Sequence, residues 1–164
     1  DWARFSIDVI RKTTGGGEKR LRANLNAEIE WASRMGTVAL LVQYPMLSEP
    51  VRKLLDAKYG DEMRRQLEYH LAVLSDIVVE IRTGKVATLD YDVTNYPGTD
   101  NAIKNSDAFL AAASISWASH GISMWSSGHH MPSQTFWALD IAKISTKFAI
   151  NHHIDEMVAI AKGR

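Results

Sequence analysis

The sequence predicts an all-α protein, a helical bundle of about four long helices with a short N-terminal helix arm and one long crossover loop. Three observations predict this fold. Apolar residues recur every three or four positions through most of the 164 residues. Gly and Pro residues fall where these periodic segments end. A single short stretch has the composition of a strand, and a chain of this length is typical of one domain with a single core.

The N-terminal segment DWARFSIDVIRK is predicted to be a short amphipathic helix that carries Trp2 and Phe5. Three consecutive glycines follow it, and glycine is the residue that most easily serves as a joint between helices. We therefore divide the chain into an N-terminal helical arm with its glycine hinge, residues 1–17, and a helical bundle domain, residues 18–164. An apolar face on a mobile arm needs a partner surface, either on its own bundle or on a neighbour.

The bundle domain is divided by Pro, Gly and Ser residues at the ends of periodic segments. The predicted helices run from Glu18 to Pro45, from Ser48 to Gly60, from Asp61 to Gly84, from Ser106 to Ser127 and from Ser133 to Lys162. The long crossover loop lies between Gly84 and Ser106, where YPGT indicates a turn and Val86–Tyr91 has the composition of an extended stretch.

Composition excludes several classes of protein. Lys and Arg together number 19, as do Asp and Glu, so the formal net charge is zero and bulk attraction to nucleic acid is not expected. The absence of Cys excludes disulfides and thiolate metal sites and favours a reducing, cytoplasmic location. The chain begins with Asp, so an N-terminal signal could have been removed. No nucleophile elbow or ordered triad is found, no cofactor is predicted, and a non-enzymatic role is favoured.

Basic residues surround the glycine triplet, and two interpretations of them remain open. The spacing and the preceding strand of a P-loop are both missing, which argues against nucleotide hydrolysis. Free amides at a helix N-terminus beside cations still form a generic site for phosphate groups, including those of nucleic acid. The candidates for such contacts are Arg11, Lys12, Lys19, Arg20 and Arg22. The simpler interpretation, a hinge with solvated basic flanks, is favoured.

A second unusual feature is the absence of Asp, Glu, Lys and Arg from Ala108 to Leu139. Its serines, His120 and Gly and Pro residues make this segment too polar for a membrane span. A helix without a charged face is either central in its bundle or covered by another subunit, and two adjacent uncharged segments favour the subunit interface. The candidates for self-association are Trp2, Phe5, Trp117, Met124, Trp125, Met131, Phe136 and Trp137.

The histidines and carboxylates offer an alternative, a metal or small-ligand site. The Glu-x-x-His motif of di-iron bundles is missing, and adjacent histidines on a helix point about 100° apart. The remaining candidates for metal ligands are His120, His152, His153, Asp155 and Glu156, with Glu28 and Glu68 on long helices as further carboxylates.

Two classes of function follow from these patterns. The favoured class is a structural or assembly protein that forms a homo-oligomer through its charge-free helical surface, with the basic hinge as a contact for nucleic acid. The alternative is a metal- or small-ligand-binding helical-bundle enzyme or sensor.

Overall fold

The computed structural model describes residues 2–35, 49–96, 106–127 and 150–164, and within these residues it contains five α-helices and no strand. The helices are α1 (Trp2–Lys12), α2 (Gly17–Met35), α3 (Glu49–Thr83), α4 (Asp107–Ser127) and α5 (150–161). The predicted all-α fold is confirmed. The predicted boundaries at Pro45, Ser48 and Ser133 lie outside the described residues. No helix in the described ranges is long and apolar enough to cross a membrane.

The ends of the long helices follow the sequence signals. Ser106 caps α4, because its Oγ accepts a hydrogen bond of 3.2 Å from the amide of Phe109. Pro50 lies in the first turn of α3, where a missing amide proton costs nothing. Gly84 ends α3 with a φ of 73° and donates its amide to the carbonyl of Glu80 at 2.8 Å.

Gly60 does not end a helix, and this prediction was wrong. Residues 49–83 form one continuous helix of 35 residues, and Gly60 has no positive φ. A glycine ends a helix when it adopts the left-handed conformation, and otherwise it is tolerated at a cost of about 1 kcal/mol relative to Ala. Ion pairs of 2.8 Å, Arg64 with Asp61 and Arg65 with Glu62, support the helix just after the glycine.

The segment after α3 is irregular. Val86–Tyr91 forms no strand, although Arg11 binds two of its backbone carbonyls. The Arg11 guanidinium donates to the carbonyl of Leu89 at 3.2 Å and also to that of Tyr91. Leu89 itself is buried with a φ of 52°. The first part of the crossover loop therefore packs on the bundle.

The N-terminal helix packs into the core of the bundle. Ile7 and Ile10 of α1 are buried in the same core as Leu21 and Leu25 of α2 and residues of α3 and α5. The glycine triplet is a tight turn between two packed helices. A Cβ on Gly17 would lie 2.9 Å from Cγ1 of Ile81, so this glycine lets the start of α2 lie directly against α3.

A buried ion pair joins this turn to the rest of the bundle. Nη1 of Arg20 lies 2.6 Å from Oε2 of Glu80, and both side chains are almost completely buried. Arg20 also donates to the carbonyls of Ile10 and Ala87, each at 3.3 Å. Oε2 of Glu80 accepts the amide of Ala87 at 3.1 Å. One ion pair thus connects α1, α2, α3 and the following loop.

We predict that Arg20→Met and Glu80→Gln each lower the free energy of unfolding by about 3–5 kcal/mol, because each leaves the other charged group buried and uncompensated. The measurement is urea unfolding at neutral pH. The double variant should recover part of the loss, since it removes both charges. Arg34→Ala is the matched control, because Arg34 forms an exposed ion pair with Glu30 one turn away on the same helix. A loss in Arg20→Met no larger than in this control contradicts the role assigned to the pair.

Candidate functional site

Four polar side chains meet inside the bundle, and we call them the polar cluster: Ser6, Asn24, Glu28 and His70. They come from α1, α2 and α3, and all four are buried. Asn24 Nδ2 donates to Glu28 Oε1 at 2.8 Å, and the Ser6 hydroxyl donates to Asn24 Oδ1. Nε2 of His70 lies 3.3 Å from Glu28 Oε1 and 3.2 Å from Ser6 Oγ. Each member therefore contacts at least one other member.

The polar cluster is built around the carboxyl group of Glu28. Burial alone raises the pKa of Glu28, but the hydrogen bond with His70 and the charges of His70 and His120 outweigh it, so the pKa lies below its usual value. His153 of α5 also interacts with this carboxylate. Burial lowers the pKa of His153, and the charge of Glu28 acts in the opposite direction. Glu28 thus interacts electrostatically with histidines from α3, α4 and α5.

The predicted metal ligands do not converge. Within the described residues, no group of three or more His, Cys, Asp or Glu side chains is placed to hold a metal ion. His152 lies 3.9 Å from Glu156 on an exposed face, while Asp155 binds Arg22 at 2.7 Å. The His120 ring lies 2.6 Å from the carbonyl of Ser116 on its own helix.

Glu68, the other carboxylate of the ligand-binding hypothesis, is also occupied elsewhere, since the hydroxyl of Tyr96 donates to it at 2.8 Å. Glu28 was a candidate from the sequence, whereas Ser6, Asn24 and His70 were not. One signal was present: Asn24 and Glu28 are one turn apart and interrupt the apolar face marked by Leu21 and Leu25.

Three of the five predicted phosphate contacts are engaged within the protein. Arg11 binds loop carbonyls and Arg20 forms the buried ion pair with Glu80. Arg22 lies 3.2 Å from Glu18 and 2.7 Å from Asp155, and its hydrogen bond with Asp155 raises its pKa. The remaining two, Lys12 and Lys19, have exposed side chains, and Nζ of Lys12 lies 3.8 Å from Oδ2 of Asp8.

A groove of about 470 Å³ lies beside the glycine turn. Its wall includes Glu18, whose pKa is lowered chiefly by a hydrogen bond from Lys162 at 2.7 Å. The wall also includes Lys19 and Arg22. Because acidic and basic groups alternate here and largely pair with each other, the groove does not form a strongly positive site.

The charge-free segment exposes large apolar side chains on one face of α4. Trp117 is 74% exposed and Leu110 is 53% exposed, and Ala113 lies half-buried between them. The opposite face, with Ala112 and Ile115, is completely buried. We call Leu110, Ala113 and Trp117 the α4 face.

The other predicted self-association residues are less informative. Phe5 is 39% exposed on α1. Trp2 lies in α1 and Met124 and Trp125 lie in α4, but their side chains are outside the description. Met131, Phe136 and Trp137 lie outside the described residues.

No protein-family model, curated protein or solved structure matches the chain. The function is therefore inferred from the chain's own side chains, and two features stand out among them. One is the buried polar cluster, and the other is the exposed α4 face.

The lowered pKa of Glu28 predicts how stability depends on pH. Its ionised form contributes stability that is fully present above the unfolded pKa of about 4.3 and is lost as pH falls through the lower folded pKa. Glu28→Gln should lack this acid-dependent component and should also be less stable at neutral pH, because His70 loses a buried partner. Urea unfolding between pH 3 and pH 7, as approximate limits, measures both effects.

Glu30→Gln is the control for this experiment, because Glu30 lies on the exposed side of the same helix. It should leave the pH dependence of unfolding unchanged. Identical pH profiles for the wild-type protein and Glu28→Gln are the outcome that rules out a role for Glu28 ionisation in stability.

Proposed function

We propose that the protein is a structural or assembly protein that self-associates through the α4 face. The observation that carries the proposal is Trp117, a large aromatic side chain left 74% exposed on a helix with no charged residue after Asp107. We also propose a reducing compartment such as the cytoplasm as its location, because the chain lacks Cys.

Physical chemistry favours a partner for this surface. Burial of apolar area stabilises an association by about 25 cal/mol per Å², before the cost of immobilising the partners is subtracted. Trp is also the residue type most often found at the energetic centre of interfaces. Leu110 lies two turns before Trp117 on the same face, and the small residues Ala113 and Ser114 between them allow close approach of another helix.

A second copy of the chain is the partner that suits this face. An uncharged surface offers no ion pair to a charged ligand, whereas it loses nothing against an equally uncharged surface. A two-fold axis brings the same patch of two copies together, which satisfies this requirement.

Contact with nucleic acid is the less supported part of the proposal. Since Arg11, Arg20 and Arg22 are engaged internally, only Lys12 and Lys19 of the five predicted cations remain as candidates, and Nζ of Lys12 lies 3.8 Å from Oδ2 of Asp8. Two phosphate contacts correspond to a slope of about −1.8 in the logarithm of the binding constant against that of salt. Any such contact would therefore be weak and nonspecific.

A second candidate function is ligand binding at the polar cluster. One observation favours it, the interaction of the buried carboxylate of Glu28 with the histidines of three other helices. Bundle cores are common places for such sites. In addition, Nε2 of His153 is buried and makes no hydrogen bond within the described part of the chain.

We predict that Trp117→Asp gives a smaller species that remains folded, because a charge at the centre of the α4 interface disfavours its burial. Sedimentation velocity measures the mass, and circular dichroism checks that the helices are retained. Val86→Asp is the matched control, since Val86 is 72% exposed but lies in the loop after α3. If Trp117→Asp and Val86→Asp have the same mass as the wild type, the α4 face is not an interface.

Metal analysis separates the two candidate functions. Because no group of three ligands is placed for a metal within the described residues, we expect the purified, untagged protein to contain well below one transition-metal ion per chain. A stoichiometric ion that is lost in both Glu28→Gln and His153→Ala would instead favour ligand binding at the polar cluster.

A further inference from the structure

The N-terminal half of α3 is largely uncovered within the described part of the protein, although near its end the hydroxyl of Tyr96 donates to Glu68 at 2.8 Å. From Glu49 to Glu68 no residue is buried, whereas Tyr69 and most residues after it belong to the core. At 1.5 Å per residue, the 35 residues of α3 span about 52 Å, and the uncovered half spans roughly 30 Å. Within the described residues, α2 has 19 residues and α4 has 21.

The uncovered half carries an apolar stripe, which we call the α3 stripe: Leu55, Tyr59, Met63 and Leu67. Leu55 is half-buried, and the other three are between 36% and 46% exposed. These residues recur every four positions and so form a ridge that turns by about 40° per step around the helix. Met63, near its middle, points within about 40° of the core residues His70, Leu74 and Ile77 further along the helix. The face that α3 uses inside the bundle thus continues beyond the bundle.

We propose that the α3 stripe packs against the same stripe of a second copy, with the two α3 helices antiparallel and related by a two-fold axis beside Asp61. This pairing is independent of the α4 face and does not require the α4 interface to exist.

The spacing of the apolar residues determines where the two-fold axis lies along the helix. With the axis at Asp61, position 55 lies opposite position 67 of the partner, and position 59 lies opposite position 63. Leu55 then contacts the partner's Leu67, and Tyr59 contacts the partner's Met63. All four residues of the stripe then make apolar contacts, as when the i±4 ridges of two helices pack together.

In this arrangement, charged residues beside the stripe of one copy lie near residues of opposite charge in the other copy. Residues 49–68 contain five acidic and five basic residues, so the surface has no net charge to repel a second copy. In the antiparallel pair, Asp56 lies within about 3 Å along the axis of the partner's Arg64, and Lys58 within the same distance of the partner's Glu62. Each pair has opposite charges and occupies one flank of the seam.

Gly60 is explained by the same arrangement. A glycine within a helix is less favourable than Ala, so a physical reason for its presence is expected. Gly60 lies at the edge of the stripe next to the proposed axis, and a Cβ built there would touch only the side chain of Asp56, at 3.5 Å. The missing side chain allows two helices to approach closely at their crossing point.

Disulfide cross-linking tests the pairing directly, because the chain has no Cys of its own. Leu55→Cys and Leu67→Cys are purified separately, mixed in equal amounts and oxidised. We expect a disulfide-linked dimer in the mixture and little in either variant alone, because two copies of one position lie about 18 Å apart along the axis. A parallel pair would cross-link each variant with itself. Val79→Cys, exposed on another face, is the control.

Met63→Glu gives the second measurement, made in the Trp117→Asp background so that the α4 interface is absent. Trp117→Asp alone should sediment as a dimer, and the addition of Met63→Glu should give a folded monomer. If the α4 proposal fails, the wild type is already this dimer, and Met63→Glu alone should dissociate it. The α3 pairing is overturned if the mixture does not cross-link and Trp117→Asp sediments as a monomer. It is also overturned if Met63→Glu destabilises the monomer, because the stripe would then be buried inside its own chain.

Discussion

The buried ion pair between Arg20 and Glu80 is the interaction on which the rest of the bundle depends. Arg20 binds the last turn of α1 and the loop after α3, while Glu80 binds the same loop through an amide. A guanidinium has several donors in a fixed plane, so a single side chain can satisfy carbonyls from separate segments. The glycine turn can approach α3 closely because Gly17 has no side chain, and the ion pair compensates both charges beside it. Arg20 belongs to the basic residues beside the glycine triplet in the sequence, but in the structure it is buried and stabilises the interior.

The protein combines a polar interior with apolar surfaces. The polar cluster and the ion pair place two carboxylates inside, while Trp117, Leu110 and the α3 stripe lie outside. Buried ionic groups contribute little net stability compared with well-packed apolar residues, but they tolerate few alternative arrangements, since a displaced partner leaves a charge uncompensated. We infer that the buried groups specify how the helices align. The outward apolar residues are then free to serve association, which is where the proposed function places them.

The sequence predicted local features well and distant contacts poorly. The helix class, the cap at Ser106 and the end at Gly84 depend on neighbouring residues, and all three were visible in the sequence. The continuity of α3 was missed because the stop signal of Gly60 depends on its φ angle, which composition does not reveal. The direction of Arg20 depends on Glu80, which lies 60 positions away, and the polar cluster joins Ser6 to His70 across 64 positions. Glu28 was recognised as a candidate carboxylate, but its surroundings become clear only when the helices are packed together.

In the proposed pair, the stability of the N-terminal half of α3 depends on the concentration of the protein. A helical segment of some 20 residues gains little stability from its backbone alone, because most helical stability in proteins comes from packing an apolar face. From Glu49 to Glu68, α3 buries no residue within the described chain. In the proposed pair, the stripe of a second copy supplies the missing packing, so this half of the helix is more stable in the pair than in an isolated copy. For such a protein, the fraction of chains with a folded α3 and the fraction of chains in the dimer increase together as the protein concentration increases.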